Sequence, residues 1–348
     1  MVVSGWLIKI PYWLCWHVRR VFGLLDETVF YLDYAHDYFI IEHLLPHLNF
    51  PYRLVARNRR LAQNLRARGV EAGVWPAFPR RLILTRHAFH RFPLRAIKKV
   101  GLKHGPWFFK KMIRPGKFNA FDLFVFISES EVKLARQAGV TAGVAGGYPR
   151  LDAFSDPQIM AKSQAIRQQP GFDAAKKTLL FTTTWDGSGM SAAHRWFNEL
   201  HSLTEKFNIL LSLHPMMSEG MKEKARSIPG VFLAGPEELP AQMLAADMLV
   251  GDTSSVLAEF CALEKPIITF TVDKGARLTP EIRTMIADIS LQIENTVEIP
   301  MAVEQYEKNP SLKQAQRQHW TGIFFDDVNV SHGQKAAAVL NDWVRYNT

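Results

Sequence analysis

The sequence predicts an α/β protein of two Rossmann-like domains, each built on a parallel sheet, the two sheets facing a central cleft. Three observations carry this. Short apolar runs alternate with amphipathic stretches of helical length, the pattern that yields parallel strands joined by right-handed crossovers. The alternation runs once, breaks at Gly146-Gly147-Tyr148-Pro149, and then runs again. At 348 residues the chain is long enough for two separate cores.

Taken in order, Thr28–Tyr34 reads as a strand, followed by a helical pattern over Ile40–Leu48. Tyr52–Ala56 is a second strand, and Arg59–Arg68 a helix ended by Gly69. Val70–Trp75 and Arg81–Thr85 are further strands, and Phe121–Ile127 is a buried one. Ser128 with Glu131 three residues on forms a capping-box signature for a helix that Gly139 stops, and Val140–Ala145 closes the half. The second half repeats the scheme. Its strands are Thr178–Thr184, Ile209–Leu213, Val231–Leu233, Met248–Val250 and Pro266–Phe270. Its helices are His194–Lys206, Lys222–Ser227, Pro240–Ala245 and Ser254–Glu264, with a closing helix from Gly333 to Arg345. The expected organisation is a surface segment 1–25, a basic acceptor domain 26–146, a donor domain 147–330 and the closing helix 331–348.

The composition, 47% hydrophobic and 22% charged, is that of a globular protein. Cys15 and Cys261 give neither a disulfide framework nor a metal spacing, so a reducing compartment is expected. The net charge of +9 is unevenly placed: residues 1–150 carry 24 Lys/Arg against 9 Asp/Glu, and residues 53–117 carry 18 against one. Such a run implies an anionic partner. Nucleic acid is not expected, because no helix-turn-helix, zinc-finger or RNP-like string accompanies the charge. Residues 6–25 are broken by Lys9, Pro11, His17, Arg19 and Arg20, too polar to span a membrane and without a signal-peptide cleavage site. Trp13, Trp16, Arg19 and Arg20 instead suit the headgroup level of an anionic membrane surface; the alternative is a helix packed on its own domain.

Ligands of doubly wound sheets bind beyond the carboxyl ends of the strands. There the most informative segment is Gly251-Asp252-Thr253-Ser254-Ser255, running from a strand into a helix. Free N–H groups of the first helical turn with the hydroxyls of Thr253, Ser254 and Ser255 would cradle phosphate, although Asp252 or Thr253 could simply cap the helix. Glu259, one turn on, could accept from ribose or polyol hydroxyls. His214 closes a strand before Pro215, and Thr183 and Thr184 run from a strand into a glycine loop. In the first half His104 stands among cations as a candidate general base, with Lys103, Lys110 and Lys111 facing an anionic acceptor. Arg150, after the hinge turn, could hold a phosphate or pair with Asp152. No paired-aspartate metal motif stands at a strand end, so neither metal nor cofactor is expected; protein cations and N–H groups would neutralise charge.

These segments, in this order, resemble the CDP-glycerol glycerophosphotransferase family, the primases and polymerases of teichoic-acid-type polymers. The matching strings are His104-Gly105, Gly147-Tyr-Pro-Arg-Leu-Asp152, Thr183-Thr-Trp185, Leu213-His-Pro215 and Ala246-Asp-Met-Leu-Val-Gly-Asp-Thr-Ser-Ser255, with Asp327 and Gly333 before the last helix. The resemblance runs from about residue 100 to the end. It implies a glycosyltransferase-like fold of two Rossmann domains on the inner face of the membrane. It further implies that His104 and His214 are the two important histidines, one serving the acceptor hydroxyl and the other the donor phosphates. Thr253, Asp186 and Lys103 stand where the family usually has tyrosine, arginine and tryptophan, and Pro106-Trp107-Phe108-Phe109 also departs from its pattern. These departures bear on the donor and acceptor more than on the fold.

The expected activity is transfer of glycerol phosphate, or another polyol phosphate, from a CDP-activated donor to a lipid-linked or glycan acceptor. A glycosyltransferase using a UDP- or CMP-sugar, and a non-catalytic membrane-bound scaffold, are the competing readings. A sugar epimerase ranks behind them, having no use for a basic acceptor face.

Overall fold

The computed structural model describes residues 3–106, 114–235, 237–272, 275 and 278–347. They form two compact units. The first comprises the chain up to Gly105, the segment ending at Arg150 and the last stretch from Val330; the second comprises Leu151–Asn329. Lys110 and Lys111, expected on the acceptor side, lie outside the described residues, as does the Trp107-Phe108-Phe109 string.

The first unit holds a seven-stranded sheet of β1 (Asp26–Leu32), β2 (Arg53–Ala56), β3 (Gly73–Val74), β4 (Pro79–Leu84), β5 (Lys98–Leu102), β6 (Leu123–Phe126) and β7 (Gly143–Ala145). The order is β3-β2-β1-β4-β5-β6-β7 and every pairing is parallel. Chain progression therefore reverses between β1 and β4, the switch point at which such sheets open a crevice. Alternate residues feed opposite faces: Val29, Tyr31, Leu82 and Leu84 pack with Phe92 and Phe126, while Phe30, Leu32 and Ile83 pack with Ile40 and Leu340. Burial on both faces is why these strands read as unbroken apolar runs.

β5 escaped the sequence reading because Lys98 and Lys99 open it. Lys99 is nevertheless buried, its ammonium donating to the carbonyls of Leu94 (2.6 Å) and Ile97 (2.9 Å), and burial lowers its pKa. The helix expected over Ile40–Leu48 is Ala35–Ile41 followed by one 3₁₀ turn, Leu45–His47. Its earlier start follows from Asp37, whose carboxylate accepts from the N–H groups of Asp33 and Tyr34 at 2.8 Å each. Ser128 caps the helix Glu129–Gln137 as expected, accepting from Glu131 N–H at 3.2 Å; the Glu131 carboxylate accepts from Ile127 N–H at 3.1 Å. The closing helix, His332–Tyr346, belongs to this unit. Its His332 accepts from Tyr148 N–H at 3.0 Å. A Cβ on Gly147, whose φ is +83°, would meet the same ring at 2.8 Å, so this turn takes glycine for both reasons.

The N-terminal helix Val3–Val21 corrects one expectation. Trp16 is a core residue rather than a membrane contact: it is buried with Tyr12 against Phe92 and Leu82, and its indole N–H donates to the Pro79 carbonyl at 2.9 Å. Tyr12 likewise donates to the Ala77 carbonyl at 2.8 Å. Trp13 remains 49% exposed, and Arg19 and Arg20 are exposed beside it. No helix among the described residues is long and apolar enough to cross a membrane.

The second unit holds β8 (Thr178–Thr182), β9 (Asn208–Ser212), β10 (Val231–Ala234), β11 (Met248–Gly251), β12 (Ile267–Phe270) and β13 (Leu291–Ile293). Its order, β10-β9-β8-β11-β12-β13, is again wholly parallel, with the switch point between β8 and β11. The five expected strands are present; β13 and the helices Pro157–Arg167, Pro280–Ile289, Ile299–Lys308 and Gln314–Phe325 were not anticipated. Two expected helices are shorter. Ser254–Glu264 becomes Val256–Cys261, and His194–Lys206 breaks into Ala193–Trp196, a 3₁₀ turn and Leu200–Leu203.

Trp16→Ala is expected to destabilise the protein by about 3 kcal/mol or more, because it opens a core cavity and strips a hydrogen bond. Trp13→Ala should stay within about 0.5 kcal/mol of wild type, as surface substitutions do. Thermal and urea unfolding of the two variants measure this, and equal effects would overturn the placement of the helix.

Candidate active site

In the second unit the ends of β8 and β11 are tied together by Asp252. This carboxylate is fully buried and accepts from the hydroxyl of Thr183 and from the N–H groups of Thr184 (2.9 Å), Ala192 (2.9 Å) and Thr253. Burial raises its pKa, while those four donors pull the other way. Thr183 also lies 2.9 Å from Ser191 Oγ, and the hydroxyls of Thr184 and Thr253 are 3.0 Å apart. Thr253 further donates to the Met190 carbonyl at 3.2 Å.

This network changes the roles expected from the sequence. Thr183, Thr184, Asp252 and Thr253 were candidates for direct donor contact, yet each is at most 5% exposed and committed to the others. They are positioning residues: together they fix the turn that leads from β11 into the helix Val256–Cys261. What that turn leaves for a ligand is Ser254 and Ser255, whose backbone N–H groups have no acceptor among the described residues. The Ser254 hydroxyl is already engaged at 3.4 Å by Val256 N–H, and Ser255 is partly exposed. With six residues the helix behind them adds less dipole than the eleven-residue helix expected. Glu259 is buried on that helix. The hydroxyl of Thr182, at the end of β8, is buried with no hydrogen-bond partner, and lies 3.4 Å from where a Cβ on Gly251 would stand.

His214 follows the end of β9, the strand next to β8, and so stands at the same sheet edge. Its Nδ1 accepts from Met216 N–H at 3.1 Å, which assigns the proton of the neutral ring to Nε2. The strand end and Pro215 thus present a donor of fixed tautomer. Asp186 joins the loops after β8 and β9, accepting from Gly187 N–H at 3.0 Å and from Ser218 N–H at 3.2 Å; a hydrogen bond from the Ser218 side chain is the largest cause lowering its pKa, ahead of these N–H groups.

In the first unit His104 follows the end of β5, beside Thr85 and Arg86 at the end of β4. Surrounding protein first, then Arg86 and Lys103, push its pKa down to about 4, against a backbone hydrogen bond at Thr85. The ring keeps an exposed edge, which tempers the size of this shift but not its direction. His104 is therefore a neutral base at pH 7.

Lys103 is not the open acceptor cation that was expected. Its ammonium pairs at 2.8 Å with Glu131, which is buried. Arg150 is also buried, 3% exposed, at the end of the first unit, and cannot serve as an open phosphate clamp. More broadly, among the described residues of 53–117, Arg53, Arg57, Arg80, Arg81, Arg86, Lys98 and Lys103 pair with acids. The residues the sequence reading passed over are Tyr34, Arg57 and Arg86. Tyr34 ends an expected strand and Arg57 and Arg86 each follow one, so the strand-end rule applied to the second half would have found them.

Residues 127–293 match the model of CDP-Glycerol:Poly(glycerophosphate) glycerophosphotransferase. Over this stretch, just under half of its length, the chain is similar to that family. A teichoic acid poly(ribitol-phosphate) polymerase of Bacillus spizizenii is 27% identical over 198 residues, 54% of this chain and 31% of the relative. The teichoic acid glycerol-phosphate primase of the same organism is 29% identical over 135 residues, 37% of this chain and 34% of the relative. The chain thus spans about a third of the length of these curated relatives. A structure of the wall teichoic acid polymerase TagF superposes with a TM-score of 0.62 at 14% identity, covering 100% of this chain and 98% of that one. The UDP-GlcNAc 2-epimerase from Neisseria meningitidis gives 0.60 at 15% identity, covering 91% and 99%. At such identities the two structures establish the fold, a pair of parallel-sheet α/β domains of the glycosyltransferase-like kind.

Asp252→Ala is expected to cost about 3 kcal/mol or more, since it leaves three buried N–H groups without an acceptor. Ser255→Ala should be close to neutral for stability. Urea denaturation of both variants tests this; an Asp252→Ala protein as stable as wild type would show that the turn is held otherwise.

Proposed function

We propose that this chain transfers a polyol phosphate, glycerol phosphate in the first instance, from a CDP-linked donor to the hydroxyl of a lipid-linked or glycan acceptor. The family match over residues 127–293 carries the reading, because it begins at the carboxyl end of β6 and takes in the strand ends of β8, β9 and β11. The donor pyrophosphate is assigned to the N–H groups of Ser254 and Ser255, with His214 Nε2–H as a further donor. Asp252, Thr183, Thr184 and Thr253 hold that turn in place.

In the reaction the acceptor oxygen attacks the phosphorus that bears the polyol. A new P–O bond forms, the bond to CMP breaks, and the hydroxyl proton passes to His104. Fixed N–H donors and protein cations offset the charge on the leaving phosphate. A base with a pKa near 4 is a weak one, and bound phosphates raise it toward neutrality, so its strength would develop as the substrates assemble.

Titration of the purified chain with CDP-glycerol, CDP-ribitol, CMP, UDP and UDP-N-acetylglucosamine is the test. Tightest binding of a CDP-polyol, weakened about tenfold or more in Ser255→Pro, which removes one of the two N–H donors at a φ of −64° that proline keeps, supports the reading; about 1.4 kcal/mol corresponds to that factor. Tightest binding of the nucleotide sugar would move the chain to sugar transfer, and no nucleotide binding would leave the scaffold. His104→Ala should retain donor binding while losing turnover by about a hundredfold or more. Because the pKa of His104 is lowered, kcat/KM should stay level from pH 7 down to about 5.5. A histidine of ordinary pKa near 6.5 would already have lost about tenfold there.

A second observation favours action at an anionic membrane surface. Ile10, Trp13, Leu14, Val18 and Val21 are exposed at helical spacing on the N-terminal helix, flanked by Lys9, Arg19 and Arg20. Arg19 lies 4.8 Å from the Phe78 ring and Arg20 5.6 Å from Trp16, so both cations are held near the helix. Trp13→Ala/Val18→Ser is expected to reduce sedimentation with vesicles containing phosphatidylglycerol at least fivefold, with Tm unchanged. Undiminished binding would remove this surface from the proposal.

A further inference from the structure

The switch point of the first sheet, between β1 and β4, is built as a site although none of its residues was singled out in the sequence. Tyr34 follows β1, Arg57 follows β2, and Thr85 and Arg86 follow β4. The Tyr34 ring is half exposed and carries two guanidiniums, Arg86 at 5.0 Å and Arg57 at 5.1 Å from its centroid. Arg86 is anchored from behind: its Nε donates at 2.9 Å to Asp37, which is fully buried and also holds the N–H groups of Asp33 and Tyr34. The Nη groups of Arg86 have no hydrogen-bond partner among the described residues. Arg57 meets Asp33 only at 3.8 Å, beyond hydrogen-bond reach, and is otherwise held by the ring. Thr85 precedes Arg86 and takes part in a backbone hydrogen bond with His104; it is buried, and its hydroxyl has no partner among the described residues. Two undersatisfied guanidinium forks held against one half-exposed ring at a switch point, one of them anchored from behind by a buried carboxylate, are the arrangement a bound oxyanion would complete.

We infer that Arg57, Arg86 and Tyr34 form the acceptor's phosphate subsite: they bind the phosphate of a polyol-phosphate chain end and so place its hydroxyl near His104. This rests on the reading given under Proposed function and assigns residues to its acceptor side. The acids Asp33 and Asp37 offset the two cations, so the site works through directed N–H donors rather than net field. Guanidinium forks match phosphate bidentately, and the Tyr34 face accommodates the carbon skeleton. Lysine at either position would keep the charge and lose the fork.

The test measures binding of sn-glycerol 3-phosphate to the full chain, with glycerol as the phosphate-free control and CMP as the check on the donor side. Variants are Arg57→Gln and Arg86→Lys, the second retaining a cation for Asp37. The inference expects binding of sn-glycerol 3-phosphate but not glycerol, weakened tenfold or more in both variants, with Tm and CMP affinity unchanged. Equal affinity in the variants, or no binding to wild type at millimolar concentration, overturns it. Loss confined to phosphatidylglycerol vesicles, with sn-glycerol 3-phosphate binding intact, also overturns it, because the arginines would then be reading a headgroup. Failure of CMP and CDP-glycerol to bind wild type would instead sink the donor assignment, and the sn-glycerol 3-phosphate result would still decide this subsite.

Discussion

A fully buried carboxylate stands at the switch point of each sheet, and the strand-end chemistry of both units depends on it. In a doubly wound sheet the loops after the first and fourth strands leave in opposite directions, so their backbone N–H groups face a crevice without ladder partners. Asp252 resolves this in the second unit by accepting from the loop after β8 and the turn after β11 at once. Asp37 does so in the first, accepting from the turn after β1 and from Arg86 after β4. Each acid is satisfied by fixed donors, which is the condition for burying such a group. Each therefore sets where neighbouring groups point: Ser254 and Ser255 in one unit, Arg86 in the other.

This division of labour separates residues that hold from residues that touch. A row of hydroxyls after a strand resembles a phosphate cradle, yet most of that row is consumed in making the turn rigid. Rigidity is functionally useful, because donors already placed at a developing charge need not reorganise during reaction. The same logic applies to charge in the first unit. Much of the basic excess is spent on acids within the unit, leaving a neutral His104, partly satisfied arginines and an exposed basic apolar helix face.

Much of the fold was legible because parallel strands buried on both faces leave continuous apolar runs bounded by glycine and proline. Phe121–Ile127, Thr178–Thr184 and Met248–Val250 were each placed to within about two residues of the observed strands. β5 was missed because Lys98 and Lys99 mask it, and nothing local reveals that the Lys99 ammonium would find two carbonyls. Trp16 and Trp13 differ by three positions and look alike in sequence; packing alone makes one core and the other surface.

The sequence by itself determined the doubly wound class, the resemblance to the family, and the strand ends at which His214 and Gly251–Ser255 stand, since these depend on local periodicity and short strings. The tertiary structure decided which of those side chains remain available. Asp252, Lys103 and Arg150 are removed from direct ligand contact, and Arg57, Arg86 and Tyr34 are brought together from three separate strand ends. Burial and pairing are properties of neighbours distant in the chain, and no window of sequence contains them.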